Sequence, residues 1–406
     1  MILQMLRMHD FFPKYEHRDR YRVVIIGAGV HGMATAYYLT RSGLTDVAVL
    51  DRGYVGGGGS ARTTAILRAN YYTAETIPFF RDSLKLFEDL SVELDLNLMF
   101  DRTGRLDLAH SEAAMYGLRT RADFNRLLGV DSHMIGPSEI AELVPAIDLR
   151  VGKMLPIIAA LYHPSAAVIR HDAVVWGYAR AAGRAGVHIR PFTEVTGLTR
   201  SGDRITGVIT PAGTIEADIV VNATAGWAST TAALADVDLP VVTYPLHVAV
   251  TEPVKPFIDV SVSSANLHAY VYQTDRGEVV MGGGVNPYQT YSMRSDFEAI
   301  GHLSASVLKL FPGLRDLKML RQWSGLCDMT PDYAPIMGRI QGLDGLLLTC
   351  GWGTWGFKAA PMAGKMMAEL IVTGTTPKSI RPFALSRFWE GRLLNEKASA
   401  PAAAIR

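Results

Sequence analysis

The feature that most constrains the fold of this chain is a glycine triplet directly after a β-branched run near its start. In YRVVIIGAGVHGMATAYYL, Gly27, Gly29 and Gly32 form G-x-G-x-x-G, and Asp51 ends the next apolar run 19 residues after Gly32. In a strand-turn-helix unit the first glycine makes the tight turn, the second lets the backbone approach a pyrophosphate, and the third allows close helix packing. An acid at this distance accepts hydrogen bonds from ribose hydroxyls. The pattern predicts a Rossmann-like βαβ unit that binds a dinucleotide.

The segments that follow favour FAD over NAD as the dinucleotide. A second glycine cluster, GGGGSARTTAILR, stands where a plain nicotinamide-binding domain would begin another β-α repeat, although a flexible surface loop is an alternative interpretation. Two later runs of small residues, VVNATAG and GWGTWG, would contact the same cofactor. The predicted FAD-binding residues are Gly27, Gly29, Val30, His31, Gly32, Asp51, Gly59, Ser60, Thr64, Ile66, Val195, Gly226, Gly353 and Gly356.

Composition excludes several classes of function. Forty basic residues balance thirty-nine acidic ones, and no basic run with interleaved aromatics would track a phosphate backbone, so nucleic acid is not an expected partner. Two cysteines, Cys327 and Cys350, argue against a disulfide framework and favour a cytoplasmic location. No uncharged apolar run reaches the roughly 18 residues that span a bilayer, so no membrane association is expected. No spacing typical of metal ligands is present either.

The pattern of apolar residues predicts an α/β protein with an FAD-binding domain and a second domain that contains a mixed or antiparallel sheet. Residues 77–90 have helical spacing, whereas TYPLHVAVT, HAYVYQ and GEVVMGGG read as successive strands. A capping box from Ser295 to Glu298 is expected to open a later helix. The predicted division is an N-terminal tail (1–20), a discontinuous FAD-binding domain (21–100, 160–240 and 325–395), a substrate domain (101–159 and 241–324) and a C-terminal tail (396–406).

Several of these motifs together resemble a known family. The segments GAGVHGMATAYYLTRSGLTDVAVLDRG, TTAILRANY, GRLDLAH, RHDAVVWGYAR, GEVVMGGG and CGWGTWGFK are similar to the glycine/sarcosine/D-amino-acid oxidase superfamily of flavoproteins, and within it to the β subunit of heterotetrameric sarcosine oxidase. The resemblance covers about residues 20–395. The first segment is common to the superfamily, while HD-x-x-x-W and GWGT-x-GFK are more specific.

The resemblance implies two cofactors and several partner subunits. FAD would be bound noncovalently in this chain, and an FMN would lie at the border with a large α subunit, attached through His171 of RHDAVVWGYAR. Without the resemblance, His171 reads as a helix cap or a packed side chain. Cys327 is the rival anchor for a covalent flavin, but a buried structural thiol fits its context better. The implied assembly is a hetero-oligomer with a large α subunit and small subunits.

The resemblance also implies an amine-oxidising site. Lys358 and Arg68 would clamp the carboxylate of a small amino acid over the flavin, Lys358 would also stabilise the reduced cofactor, and Tyr270 is a weaker candidate for the pocket. The implied reaction is oxidation of a secondary amine, most simply the demethylation of sarcosine. A dehydrogenase of proline, hydroxyproline, N-methylglutamate or glycine is the alternative, and a non-catalytic electron-transfer subunit is the alternative of another class. Trp355 departs from the pattern, which usually has a small residue there, and so leaves substrate size open.

Overall fold

The structure is a computed structural model that describes residues 18–153 and 155–396. Its helices are α1 (Val30–Arg41), α2 (Thr76–Glu93), α3 (Glu112–Leu127), α4 (Pro137–Leu143), α5 (His171–Arg184), α6 (Ala228–Ala233), α7 (Phe297–Leu310) and α8 (Gly356–Thr373). Its strands are β1 (Arg20–Ile26), β2 (Val47–Leu50), β3 (Ile66–Leu67), β4 (Arg105–Ala109), β5 (His133–Ile135), β6 (Ala159–His163), β7 (Ala167–Val168), β8 (His188–Arg190), β9 (Gly197–Ser201), β10 (Arg204–Thr210), β11 (Gly213–Asn222), β12 (Val242–Pro253), β13 (Ser261–Ser264), β14 (Ala269–Gln273), β15 (Glu278–Val285), β16 (Met319–Met329), β17 (Ile336–Ile340) and β18 (Leu343–Cys350).

The first sheet has a parallel centre built from distant parts of the chain. Its order is β17-β18-β10-β11-β1-β2-β8, with β9 beside β10 and an additional pairing of β18 with β11. Strands β18, β11, β1, β2 and β8 run parallel to their neighbours in this centre. The strands β1, β2, β11 and β18 therefore present their carboxyl ends at one edge, where ligands bind in open α/β sheets.

The second sheet is mixed, which is one of the two forms that the sequence predicts. Its order is β16-β12-β15-β14-β13-β4-β6-β5, and all neighbours are antiparallel except β13 and β4. The three strands predicted from TYPLHVAVT, HAYVYQ and GEVVMGGG are β12, β14 and β15, and they lie side by side. Helix α7 covers one face of these strands, which leaves the other face for the cavity described below.

Close packing between helices holds α8, the last helix, against α1, which follows the first strand of the first sheet. Helix α1 packs against α5 and α8, and α2 also packs against α8. A Cβ added at Gly364 of α8 would lie 2.6 Å from the Cβ of Ala34 in α1, so only glycine allows this approach. The start of α8 is thereby held beside the start of α1, although the two helices belong to opposite ends of the sequence.

Two local predictions need correction. The N-cap of α7 is Asp296, whose carboxylate accepts from the amide of Ala299 at 2.7 Å, whereas the Ser295 hydroxyl lies 2.9 Å from His247 Nδ1. Glu396, the first residue of the predicted C-terminal tail, is fully buried because its carboxylate accepts from the amides of Tyr72 and Thr73.

Two of the predicted domain boundaries interrupt strands of the second sheet. Residues 1–17 of the predicted N-terminal tail and residues 397–406 lie outside the described residues. The predicted boundaries at 160 and at 325 fall within β6 and β16, both strands of the second sheet. The division into an FAD-binding and a substrate domain stays a prediction. Within the described ranges, no helix is long and apolar enough to cross a membrane.

Candidate active site

Two glycines of the triplet lie where the backbone leaves no room for a side chain. Gly27 follows β1 with φ of 110°, and a Cβ there would lie 2.5 Å from the carbonyl oxygen of Ala223, the residue after β11. A Cβ on Gly32 would lie 1.9 Å from the carbonyl oxygen of Gly27. The first glycine is therefore required by a backbone contact with the end of β11 and the third by a backbone contact inside the βαβ unit, while Gly29 faces the cavity.

The acid at the end of the second strand is held in place by backbone amides. Asp51 accepts from the amide of Ala28 at 2.7 Å through one oxygen and from the amide of Gly53 at 2.8 Å through the other. Ser60 of the second glycine cluster accepts from the amide of Val30 at the start of α1, at 2.9 Å. The second glycine cluster therefore folds over the start of α1, which excludes its reading as a detached surface loop.

His31 connects the first glycine segment to the last one. Its Nε2 lies 2.8 Å from the carbonyl oxygen of Gly356, and its ring stacks on Trp352 with the centroids 4.4 Å apart. Burial lowers the pKa of His31 to about 4, so the ring is neutral near pH 7. A neutral ring that donates from Nε2 leaves Nδ1 as an acceptor, and this buried nitrogen has no partner within the described residues.

One large cavity of about 1030 Å³ lies at the carboxyl edge of the first sheet and extends along the second sheet. Most of the predicted site residues line it, namely Gly27, Gly29, Val30, His31, Asp51, Gly59, Ser60, Thr64, Ile66, Arg68, Val195, Tyr270, Gly353, Gly356 and Lys358. Three predicted residues do not line it. Gly32 packs behind the turn, Gly226 packs against Leu326, and His171 begins α5 elsewhere.

Lys358 and Arg68 both line this cavity, close enough together for their charges to interact, and they mark one end of it. Lys358 lies on the first turn of α8, and its Nζ lies 3.4 Å from the carbonyl oxygen of Thr354. It forms no ion pair with any carboxylate in the described part of the chain. Burial, together with the neighbouring Arg68 and Arg105, holds the pKa of Lys358 well below its usual value. A cation in this position is stabilised when an anion arrives.

Arg68 is fixed by its own neighbours. Its guanidinium donates to the backbone and side-chain oxygens of Asn70, both at 3.0 Å, and lies over the ring of Tyr71 at 4.3 Å. Burial lowers the pKa of Arg68, although an arginine stays charged. This rigid guanidinium is suited to gripping a carboxylate.

Sequence reasoning missed an ionic cluster beside these two cations. Arg105 of β4 and Arg121 of α3 both pair with Asp107, Arg105 at 2.9 Å, and all three side chains line the cavity. Burial would raise the pKa of Asp107, but the two arginines hold it below its usual value. The alternation of Arg105 and Asp107 in GRLDLAH is a weak signal for this cluster. No sequence pattern predicted that Arg121 belongs to this cluster, because it lies on an amphipathic helix of ordinary composition.

Tyr270 also borders this end of the cavity. Its hydroxyl lies 3.5 Å from Thr64 Oγ1, and the adjacent Tyr272 donates to the carbonyl oxygen of Thr64 at 2.9 Å. Burial raises the pKa of Tyr270 to about 12, so its hydroxyl is protonated near neutral pH. Tyr270 and Tyr272 tie the second sheet to the segment that carries Arg68.

Neither cysteine has the character of a covalent anchor. Cys327 and Cys350 are both free and buried. Cys327 lines the cavity, but burial and the neighbouring Asp328 raise its pKa to about 12. Because the thiolate is the nucleophile, such a thiol is unreactive near neutral pH.

Trp355 does not narrow the cavity, although its departure from the family pattern had left the size of the substrate open. It is 1% exposed and stacks on Tyr71 and Phe80, with ring centroids 5.0 and 5.3 Å away. It is absent from the cavity wall because the turn before α8 directs it into the core between α2 and α8. Its effect on the site passes through Tyr71, which supports the Arg68 guanidinium.

The residues of the cavity fit FAD by several independent features. The α1 amides, the glycines that permit close backbone approach and the amide-held Asp51 provide the groups that a pyrophosphate and a ribose need. The unpartnered Nδ1 of His31 is a buried acceptor at the same place. Within the described residues, the cavity is also long enough to join this cradle to the Lys358 end.

Comparisons with known proteins agree with this reading. The sequence pattern of the DAO family, described as FAD dependent oxidoreductases, matches residues 22–370. The chain is 39% identical to the sarcosine oxidase subunit beta of Rhodobacter capsulatus over 98% of this chain and 96% of that one. It is also 39% identical to the sarcosine oxidase subunit beta of Arthrobacter sp., over 98% of this chain and all of that one.

The fold matches solved structures as well. The L-proline dehydrogenase of P. horikoshii superposes with a TM-score of 0.87 at 29% identity, covering 93% of this chain and 100% of that one. The glycine oxidase of Geobacillus kaustophilus has a TM-score of 0.84 at 23% identity, covering 91% and 99%, and supports the fold alone.

The fold and the cavity define a flavin-dependent oxidoreductase of the Rossmann-like α/β class. The chain belongs to the FAD-dependent oxidoreductase family named above and groups within it with the sarcosine oxidase β subunits. It is an FAD-dependent enzyme that oxidises amines.

Proposed function

We propose that this chain oxidises the secondary amine of an N-methyl amino acid, with sarcosine as the simplest substrate, and that it acts as the FAD-bearing β subunit of a multisubunit oxidase. The observation that carries the proposal is the Lys358–Arg68 pair in the cavity that also contains the dinucleotide cradle. An anion-binding site at the far end of an FAD cavity suits a substrate with a carboxylate. The naming of the relatives as sarcosine oxidase subunits supports the choice of amine.

The residues of the chain would bind and orient the substrate. The Arg68 guanidinium and the Lys358 ammonium would hold the carboxylate, each through charge-assisted hydrogen bonds worth about 1.5–3 kcal/mol. Tyr270 would border the alkyl part, because its ring lines the same end of the cavity. FAD, when bound, supplies the two-electron acceptor for the carbon–nitrogen bond.

The cations would also set the protonation state of the substrate nitrogen. An amine must lose its proton before the adjacent carbon can give up a hydride, since the nitrogen lone pair stabilises the developing cation. Nearby positive charges lower the pKa of an amine. Lys358, Arg68 and Arg105 neighbour one another at this end of the cavity, so they favour the neutral substrate.

The same proposal assigns a second flavin to His171. Its imidazole is at the start of α5 and off the FAD cavity, and burial lowers its pKa, so it is a neutral nucleophile near pH 7. Neither ring nitrogen has a hydrogen-bond partner in the portion of the chain that is described. These features fit a covalent FMN at the border with a large α subunit. The small subunits and the cytoplasmic location expected from the sequence are part of the same proposal.

The experiment is co-expression with the neighbouring subunits, followed by a visible spectrum and acid precipitation. Yellow colour that stays with this chain in the wild type and is lost in His171→Asn supports the FMN attachment, while sarcosine turnover supports the substrate. Full release of flavin by acid would make His171 structural and would favour the alternative, an amino-acid dehydrogenase with noncovalent FAD.

A second candidate function is a dehydrogenase of a cyclic secondary amine. The similarity to the L-proline dehydrogenase of P. horikoshii favours it, because that structure superposes along nearly the whole chain. Parallel assays with sarcosine and L-proline separate the two. Hydroxyproline, N-methylglutamate and glycine belong in the same assay, and turnover of none of them would favour a non-catalytic electron-transfer subunit.

A further inference from the structure

The cavity reaches solvent at two separate places. Within the described residues, the exposed members of its wall fall into two groups. The first group includes Arg52 and Leu234, and the second consists of Gly117, Ala265 and Asn266. Resting on the proposed function, we infer that the substrate enters through the second opening, between α3 and the turn that joins β13 to β14, and that Gly117 sets the width of this route.

The first opening belongs to the adenosine end of the cofactor site. Arg52 follows Asp51 directly, and the amide of Thr193 donates to the carbonyl oxygen of Asp51 at 2.7 Å. The Arg52 guanidinium lies over the ring of Trp227 at 4.2 Å, which brings the start of α6 to the same place. With its ribose at Asp51, FAD itself occupies this opening. The substrate of the FAD-loaded enzyme therefore needs another route.

A continuous set of contacts leads from Lys358 to the second opening. The charges of Lys358 and Arg105 are close enough to interact, and Arg105 pairs with Asp107 at 2.9 Å. Asp107 of β4 lies opposite Ser263 of β13 in the parallel ladder. Strand β13 ends one residue later, and the exposed turn begins at Ala265. The second opening is therefore at the end of the cavity where the substrate carboxylate would bind.

One face of α3 forms the other side of this opening. The residues of α3 that line the cavity are Ala114, Gly117, Leu118 and Arg121, and their spacing of three and four places them on one side of the helix. Arg121 is buried and pairs with Asp107, whereas Gly117, one turn earlier, is exposed. This face therefore runs from the buried ion pair to solvent within about one turn, and its outer residues, Ala114 and Gly117, are small.

Hydrogen bonds hold the two sides of the opening relative to each other. His110 lies between β4 and α3, its Nδ1 donates to the carbonyl oxygen of Leu155 at 2.9 Å, and its Nε2 lies 2.8 Å from the hydroxyl of Ser264 at the end of β13. The Ser264 oxygen accepts from the amide of Leu267 across the turn at 3.2 Å. Because the backbone is tied on both sides, the side chains on α3 decide how wide the opening is.

Gly117 can be enlarged without disturbing the fold. A Cβ built there meets no atom within 4 Å, so a larger side chain has no neighbour to displace. Replacing a glycine inside a helix also stabilises the helix. Because Gly117 borders the cavity, the new side chain occupies the opening, and its effect is one on access to the site.

The test measures how fast a carboxylate reaches the site in the FAD-loaded enzyme, co-expressed with its neighbouring subunits. Methoxyacetate has an ether oxygen in place of the sarcosine nitrogen, and stopped-flow spectra of the flavin follow its binding. We expect the association and dissociation rate constants to fall together, by at least about tenfold in Gly117→Trp and by less in Gly117→Leu, with Kd changed less than about twofold. A narrower route raises the barrier in both directions and leaves the bound state unchanged.

Gly301→Trp in α7 is the matched control, because a Cβ there also meets nothing within 4 Å, and it should keep the wild-type rate constants. FAD content and Tm should stay at the wild-type level in Gly117→Trp. Unchanged rate constants in Gly117→Trp, or a slower association in Leu234→Trp at the first opening alone, overturn the inference. A weaker Kd at an unchanged association rate also overturns it, since Gly117 would then shape the site.

The proposed function is tested separately by turnover of sarcosine in the same preparations. Sarcosine oxidation with unchanged methoxyacetate kinetics in Gly117→Trp leaves the proposed function standing and removes the route. Slower methoxyacetate binding in Gly117→Trp, without oxidation of any N-methyl amino acid by the wild type, supports the route and removes the proposed substrate. A wild-type enzyme that binds neither methoxyacetate nor sarcosine contradicts both.

Discussion

His31 Nε2 lies 2.8 Å from the carbonyl oxygen of Gly356, although the two residues are 325 positions apart in the sequence. The contact joins the start of α1, where a pyrophosphate would bind, to the start of α8, which carries Lys358. Stacking of His31 on Trp352 strengthens the same connection. The cofactor cradle and the anion site are therefore held in one rigid arrangement, and several predictions depend on it.

The first prediction concerns the pH dependence of stability. Burial lowers the pKa of His31 from an ordinary 6.5 to about 4, so this residue stabilises the fold above pH 6.5 and the contribution is lost as the pH falls through 4. The difference corresponds to about 3 kcal/mol. Urea unfolding of the flavin-free chain at pH 7.5 and 4.5 should show a smaller loss in His31→Gln than in the wild type. The exposed His302→Gln is the control, and equal losses in wild type and His31→Gln would contradict the assignment.

The second prediction concerns Lys358. Lys358→Met should lower kcat/KM for the amino acid by about 10- to 150-fold, because a charge-assisted hydrogen bond to the carboxylate is lost. The FAD content, measured from the visible spectrum after desalting, should stay at the wild-type level. Lys365→Met on the exposed side of the same helix should leave both quantities unchanged. Loss of FAD together with activity would instead make Lys358 a residue that holds the fold or the cofactor.

The third prediction concerns the third glycine of the cradle. Gly32→Ala should abolish FAD retention and lower Tm, since the new Cβ would meet the carbonyl oxygen of Gly27 at 1.9 Å. Gly301→Ala in α7 is the matched change, because a Cβ there meets nothing within 4 Å. That control should raise stability by about 0.5–1 kcal/mol, the usual gain when alanine replaces glycine in a helix. Normal FAD content in Gly32→Ala would show that the α1 turn can relax.

The fourth prediction concerns Trp355. Trp355→Leu should destabilise the protein by a few kcal/mol, as expected for a large core aromatic, and should lower kcat/KM through the Tyr71 ring under Arg68. The ratio of kcat/KM for sarcosine and the larger N-methylalanine should not change, because Trp355 does not line the cavity. A shift of that ratio toward the larger substrate would show that Trp355 limits substrate size after all.

Local patterns were enough to predict the parts of the fold that short-range physics controls. The β1-α1-β2 unit follows from three glycines and one acid at fixed spacing, and β12, β14 and β15 follow from the alternation of apolar and polar residues. The helix over residues 76–93 follows in the same way from its apolar stripe. Where the prediction failed locally, as at the N-cap of α7, two adjacent residues competed for one role and packing against His247 decided between them.

The sequence by itself determined that a dinucleotide cradle, a late glycine-rich turn and an isolated lysine exist, because each is a local pattern with a local reason. Only the tertiary structure decided that β18 and β11 join β1 in one parallel sheet, that Arg105 lies near both Lys358 and Arg68, and that Arg121 lies near Arg68. These arrangements come from pairing and burial between distant segments, and no spacing along the chain encodes them. The charged side chains at this end of the cavity come from four separate segments. Their proximity could therefore be recognised only from the folded structure.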